Sequence, residues 1–183
     1  MANQRKMDKV LLGLLSHESL TGYDIKKRLD TVLHFFWGGS YGSIYPTLLD
    51  LEKQEKIYKK SFVENGRNKT VYYITDKGEE SLIKWLNCPV DKDEIRYETI
   101  LKLFLGNTAG YDVARRHIEQ FEKKCREELQ NLQIYEKNLV NFLGEDTHKY
   151  YYLTIMFGIK TYESYIEWCS EAIAFLNKNC NHI

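Results

Sequence analysis

The stretch from Ser40 to Thr75 constrains the fold more than any other part of this chain. It opens Ser40-Tyr41-Gly42-Ser43-Ile44-Tyr45-Pro46, and Ile44, Leu48 and Leu51 fall on one face of a short helix. Two segments rich in β-branched and aromatic residues follow, one holding Ile57, Tyr58, Phe62 and Val63, the other Val71 to Ile74. Between them lie Asn65-Gly66 and the tip Arg67-Asn68-Lys69. The pattern predicts a helix, a strand, a tight basic turn and a second strand.

Helical segments flank this unit. Met7, Val10, Leu11, Leu14 and Leu15 keep the spacing of an amphipathic helix. Thr21-Gly22-Tyr23-Asp24 reads as a capping box, with Thr21 as N-cap and an acid three residues on. Ile25, Leu29, Val32 and Leu33 continue that second helix until Gly38-Gly39 stops it. Either Ser40 or Ser43 can cap the third helix. A Ser43 cap puts Pro46 in the first turn, where no backbone donor is lost, and a Ser40 cap puts it deeper and predicts a kink. Asp76-Lys77-Gly78-Glu79 starts a fourth helix carrying Leu82, Ile83, Trp85 and Leu86. Residues 1–88 therefore read as a winged helix-turn-helix, mostly α with a small β-hairpin wing, and such a domain usually binds DNA.

Pro89 and the acidic Asp91-Lys92-Asp93-Glu94 mark the boundary to a second, helical part, residues 89–183. Ile95 to Leu105 reads as a short helix. Asp112 to Leu143 reads as a long one, with Phe121, Cys125, Leu129, Leu132, Tyr135 (or Glu136) and Leu139 three and four apart. Gly144 to Thr147 breaks it, and Thr147 is the expected cap of a last, aromatic-rich helix to about Leu176. One hairpin of such helices does not easily bury stripes this long. Packing against a second copy is the economical solution, which makes this a helical dimerisation domain.

The 183 residues are 43% hydrophobic and 28% charged, ordinary for a soluble globular protein. No apolar run approaches the roughly 20 residues that span a bilayer, and Val10 to Leu15 is too short for a signal-peptide core. A cytoplasmic protein with no membrane contact is expected. The formal net charge is zero, but residues 1–88 carry 14 basic and 11 acidic side chains, and residues 89–183 carry 12 and 15. The positive excess lies on the half with the basic turn. Cys88, Cys125, Cys169 and Cys180 have no metal-ligand or Cys-x-x-Cys spacing and read as reduced thiols. The five histidines are isolated. With no phosphate loop, metalloprotease motif or nucleophile elbow, no enzyme, metal or cofactor is expected.

Several motifs together resemble the PadR-type transcriptional regulators: Leu20-Thr21-Gly22-Tyr23-Asp24-Ile25, Phe36-Trp37, and Ser40-x-Gly42-Ser43-Ile44-Tyr45-Pro46-x-Leu48-x-x-Leu51-Glu52. Arg67, Tyr73-Ile74-Thr75 and Gly78 extend the resemblance, and Glu79-Glu80 departs from the small or basic residue often found after that glycine. The second half is similar to the helical domain of virulence-activator-type members. The resemblance implies a homodimeric DNA-binding regulator, expected to be a repressor on an inverted-repeat operator. It also makes a small aromatic or phenolic effector a candidate partner.

The candidate DNA contacts follow from that arrangement. Ser40, Tyr41, Ser43 and Tyr45 sit near the start of the recognition helix, where hydroxyls suit phosphates and base edges. Tyr41 and Tyr45 have the alternative role of packing the domain. Arg67, Asn68 and Lys69 form the wing tip, and Tyr23, Lys26 and Lys27 lie where the second helix crosses the backbone, with Arg5 and Lys6 as further phosphate contacts. Among the aromatics of the last helix, Phe157, Tyr165 and Trp168 are candidates either for an effector pocket or for plain dimer packing. The rival to the regulator reading is a winged-helix interaction module that reads no DNA sequence.

Overall fold

The computed structural model describes residues 6–37, 41–64, 67–91, 93, 95–144 and 146–179. The chain divides into two compact units, Met1–Asp93 and Glu94–Ile183.

The first unit is built on α1 (Met7–His17), α2 (Gly22–Arg28), α3 (Ile44–Lys53) and α4 (Asp76–Leu86). Strands β1 (Leu20–Thr21), β2 (Ile57–Glu64) and β3 (Arg67–Ile74) form an antiparallel sheet in the order β1-β3-β2. The hairpin register pairs Ile57 with Ile74 and Glu64 with Arg67. The apolar stripes predicted from spacing supply one core: Met7, Leu11, Leu12 and Leu15 meet Leu20, Ile25, Leu29, Ile44, Leu48, Leu51, Ile57 and Leu82. Burying these side chains is the main driving force holding the helices and the sheet together.

The capping box forms as the sequence predicts. Thr21 Oγ1 accepts from the Asp24 N–H at 3.1 Å, and the Asp24 carboxylate accepts from the Thr21 N–H at 3.1 Å. The structure differs from the sequence expectation in the wing, where Arg67, Asn68 and Lys69, expected as the turn, are the first residues of β3 and pair with Glu64, Val63 and Phe62. The second helix also differs, loosening into a π-helical turn over Leu29–Leu33. Gly38, Gly39 and Ser40 lie outside the described residues. A 3-10 turn, Tyr41–Ser43, leads into α3, so Pro46 falls in its first turn, as a Ser43 boundary requires. Ser43 itself makes no side-chain cap.

Beyond α3 the backbone turns through Glu55 at φ 58°. The Glu55 N–H donates to Glu52 O and the Lys56 N–H to Leu51 O, the paired bonds of a Schellman motif. This places Lys56 O against Gly78, where a Cβ would lie 2.2 Å from that oxygen and 2.7 Å from Ile74 Cγ1. Thr75 caps α4, its Oγ1 accepting from the Gly78 N–H at 3.2 Å and donating to Glu55 O at 2.8 Å. The start of α4 is thereby fastened to the end of α3.

The second unit holds α5 (Glu98–Phe104), α6 (Tyr111–Val140) and α7 (Asp146–Asn179). The short helix begins three residues later than the sequence suggests. Thr147 lies inside the first turn of α7 rather than capping it, because the helix already includes Asp146. In α6, Ile118, Cys125 and Leu132 are buried. Of the alternatives at the next position, Glu136 is half-buried and accepts from Tyr152 Oη at 3.4 Å, while Tyr135 is exposed. Cys169 is also buried, Cys88 is exposed, and Cys180 lies outside the described residues. Burial raises the thiol pKa of Cys125 to about 12 and of Cys169 to about 11, so both stay protonated. Among the described residues, no helix is long and apolar enough to cross a membrane and no cluster suits a metal.

Candidate nucleic-acid interface

The N-terminus of α2 is the meeting point of the first unit. Gly22 opens that helix directly beneath the Tyr45 ring, since a Cβ on Gly22 would lie 2.8 Å from Tyr45 Cε1 and Oη. Tyr45 therefore both packs the domain and, at 60% exposure, stays open to solvent. Tyr23 beside it is 73% exposed. Lys26 and Lys27 extend from the last turn of α2 into solvent.

The wing reaches the same point. The Lys69 charge acts on the Asp24 carboxylate, and its Nζ lies 5.9 Å from the Phe62 ring centroid. Asp24 is held below the usual carboxylate pKa chiefly by the hydrogen bond from the Thr21 side chain. Burial opposes this with the next-largest effect, and the Thr21 backbone bond and the charges of Lys69 and Arg28 lower the pKa further. Asn68 is exposed. On the other side of the hairpin, Lys59 pairs with Glu52 of α3 at 2.9 Å, which ties the wing to the third helix.

Of the sequence candidates, Tyr23, Lys26, Lys27, Tyr45, Asn68 and Lys69 thus lie on the surface of three elements that converge near Thr21–Asp24. Ser43 is buried, at 9% exposure. Ser40 and Arg5 lie outside the described residues, as do the side chains of Tyr41 and Arg67. Lys6 has its Nζ 6.0 Å from the Trp37 ring centroid.

Two features escaped the sequence reading. Leu49 is 52% exposed on α3. The signal was present, since Leu49 falls off the stripe of Ile44, Leu48 and Leu51. The outer face of the hairpin carries Tyr58 stacked on Tyr73, centroids 5.0 Å apart, with Lys60 Nζ within 5.6 Å of both rings. Only the strand register brings these three together.

In the second unit, Phe121 of α6 is the centre of an aromatic cluster. Its ring centroid lies 6.0 Å from Tyr97, 5.8 Å from Tyr165 and 6.2 Å from Trp168. Tyr162 lies 6.0 Å from Tyr165, and the Tyr97 and Tyr165 hydroxyls are hydrogen-bonded to each other. Burial pushes the Tyr162 phenol up to about 12 and raises Tyr165 as well, so both stay neutral hydrogen-bonding groups. The cluster includes Tyr165 and Trp168 but not Phe157, which is exposed about two turns nearer the start of α7.

Residues 11–84 match the family model described as the transcriptional regulator PadR-like family, and residues 95–177 match that of the virulence activator alpha C-term. The negative transcriptional regulator PadR of Bacillus subtilis is 26% identical over 184 residues, spanning 96% of this chain and all of that one. It has been solved in complex with operator DNA and with p-coumaric acid. The operator complex is similar in fold, with a TM-score of 0.82 at 24% identity over 93% of this chain and 98% of that one. The crystal structure of smu.1604c from Streptococcus mutans has a TM-score of 0.82 at 30% identity, covering 91% of this chain and 98% of that one. The PadR-like transcriptional regulator BC1756 from Bacillus cereus gives 0.79 at 28%, covering 94% and 99%. With both halves matched and the fold shared over 94% of its length with BC1756, the chain belongs to the PadR-like family of transcriptional regulators, its C-terminal half of the virulence-activator type.

Proposed function

We propose that the chain is a homodimeric DNA-binding regulator that represses transcription from an inverted-repeat operator. Residues 1–88 bind the duplex and residues 89–183 dimerise. The observation that carries this reading is the convergence of α2, α3 and the wing. Lys26, Lys27 and Lys69 bring positive charge to one surface with Tyr23, Tyr45 and Asn68 exposed on it. Cations neutralise phosphates while a helix offers side chains to base edges. Repression accords with the negative regulator from Bacillus subtilis, and operator DNA with what that relative binds.

A planar phenolic effector fits the second unit. The cluster around Phe121 offers aromatic faces and neutral phenol hydroxyls, and the Bacillus subtilis relative has been solved with p-coumaric acid. The effector acts by binding one of two conformations of the dimer more tightly, which shifts the population away from the DNA-binding form.

Fluorescence anisotropy on duplexes selected from a random pool, against scrambled duplexes at two salt concentrations, tests the reading. Selective binding is expected, with log affinity falling against log salt by about 0.9 for each phosphate neutralised. Lys26→Ala with Lys27→Ala should weaken binding to all duplexes and flatten that slope by about one for each phosphate the variant no longer neutralises. Weak, unselective binding indifferent to these substitutions would favour the interaction-module reading instead.

A further inference from the structure

The outer face of α3 has an unusual chemistry for a helix that reads DNA. Its inner face, Ile44, Leu48 and Leu51, is buried in the core. On the outer face the large exposed side chains are Tyr45 and Leu49, one turn apart. The helix Ile44–Lys53 contains no Arg, Asn or Gln, and its one Lys lies in the last turn. Glu52 is engaged by Lys59. The side chains that pair bidentately with guanine or adenine edges are therefore missing from the first two turns. A leucine offers no hydrogen bond. The base-edge feature of the major groove that it can bury is the C5 methyl group of thymine.

We propose that Leu49 is a specificity-determining residue that reads a thymine by packing on its C5 methyl in the major groove. This rests on the DNA-binding reading above. Tyr45, held over Gly22 at a fixed place, lies four residues earlier, about 6 Å along the axis. That rise spans at most roughly two base-pair steps, so the two side chains fall within about two base pairs of each other. A single exposed leucine is ordinary on a protein surface. Here it occupies the middle of the helix face that a duplex would cover, in line with the exposed Tyr45 and next to the exposed Asp50. A carboxylate there disfavours phosphate and accepts from a base amino group.

The test removes the methyl group from the DNA and the side chain from the protein. Operator duplexes recovered by selection are resynthesised with deoxyuridine in place of one thymine at a time, and binding of the full chain is followed by anisotropy. We expect one thymine per half-site whose replacement weakens binding about 3- to 10-fold, the range for one buried methyl-sized group and its neighbours. Leu49→Ala should weaken binding to the thymine duplex by a similar factor and bind thymine and uracil duplexes equally. The exposed position keeps the variant folded, which far-UV circular dichroism checks. Selective operator binding with uracil tolerated at every position would overturn this inference alone. So would retained discrimination in Leu49→Ala. Failure to bind any duplex selectively would overturn it together with the reading it rests on.

Discussion

Glu55 adopts a backbone conformation that L-residues avoid, and it does so to close a Schellman motif at the end of α3. Its carboxylate pairs with Lys77 at 3.1 Å, with both side chains largely exposed, an interaction worth little. Glu55→Gly should therefore stabilise the fold, by about 0.5–1 kcal/mol once the greater freedom of glycine in the unfolded chain is set against the relieved strain. Urea unfolding measures this, and a lower midpoint would contradict it. Gly78 presents the opposite case. A methyl group there meets a backbone carbonyl at 2.2 Å, and relief requires moving the α3–β2 connection or the start of α4. Gly78→Ala should cost about 1–3 kcal/mol, the usual range for overpacking, and more if the Thr75 cap is lost. The sequence motif containing Gly78 was legible, but its reason was not, because Lys56 O reaches it only through the fold.

At the scale of the element, α2 is the helix on which the candidate interface depends. Its N-terminus is held by the Thr21–Asp24 box, and the Asp24 carboxyl stays ionised below its usual range through that box and nearby Lys69 and Arg28. A depressed folded pKa adds stability that is fully present above the unfolded value, about 3.9. That stability is lost as pH falls through the lower folded value. Stability should therefore drop on acidification below about pH 4, and Asp24→Asn should reduce that drop while lowering stability at pH 7. Chemical unfolding of both proteins between pH 7 and pH 2.5 measures the difference, and parallel pH profiles would rule out the Asp24 contribution. The box could be read from four residues because capping is local. The π-helical turn that follows could not, since the spacing of Ile25 and Leu29 is common to both helix types.

On the scale of the molecule, α7 carries Tyr150, Leu153 and Phe157 exposed at i, i+3 and i+7, and α5 adds the exposed Leu101 and Phe104. Apolar surface of this extent is costly to leave in water, and a second copy is the proposed cover. Phe157→Glu with Leu153→Lys should convert a species of twice 21.7 kDa into one of 21.7 kDa in sedimentation equilibrium. Operator affinity should fall with it, since two half-sites would no longer be bound together. A variant that stays dimeric would assign that stripe another role. The aromatic cluster around Phe121 is a separate matter, because Phe157 is not part of it. Loss of the dimer and loss of effector response should therefore be separable by substitution.

The sequence alone determined what depends on short-range pattern. Helix stripes three and four apart, the β-branched and aromatic runs of the hairpin, Thr21 and Asp24 three residues apart and Pro46 near a helix start all act within a few residues, where local pattern dictates geometry. Tertiary structure decided what depends on distance through space. It buried Ser43, set Tyr45 over Gly22, brought the Lys69 charge to bear on Asp24 and its Nζ near Phe62, and stacked Tyr58 on Tyr73 beneath Lys60. Each pairing joins residues that only packing brings together, and side-chain type does not reveal which partner packing will choose.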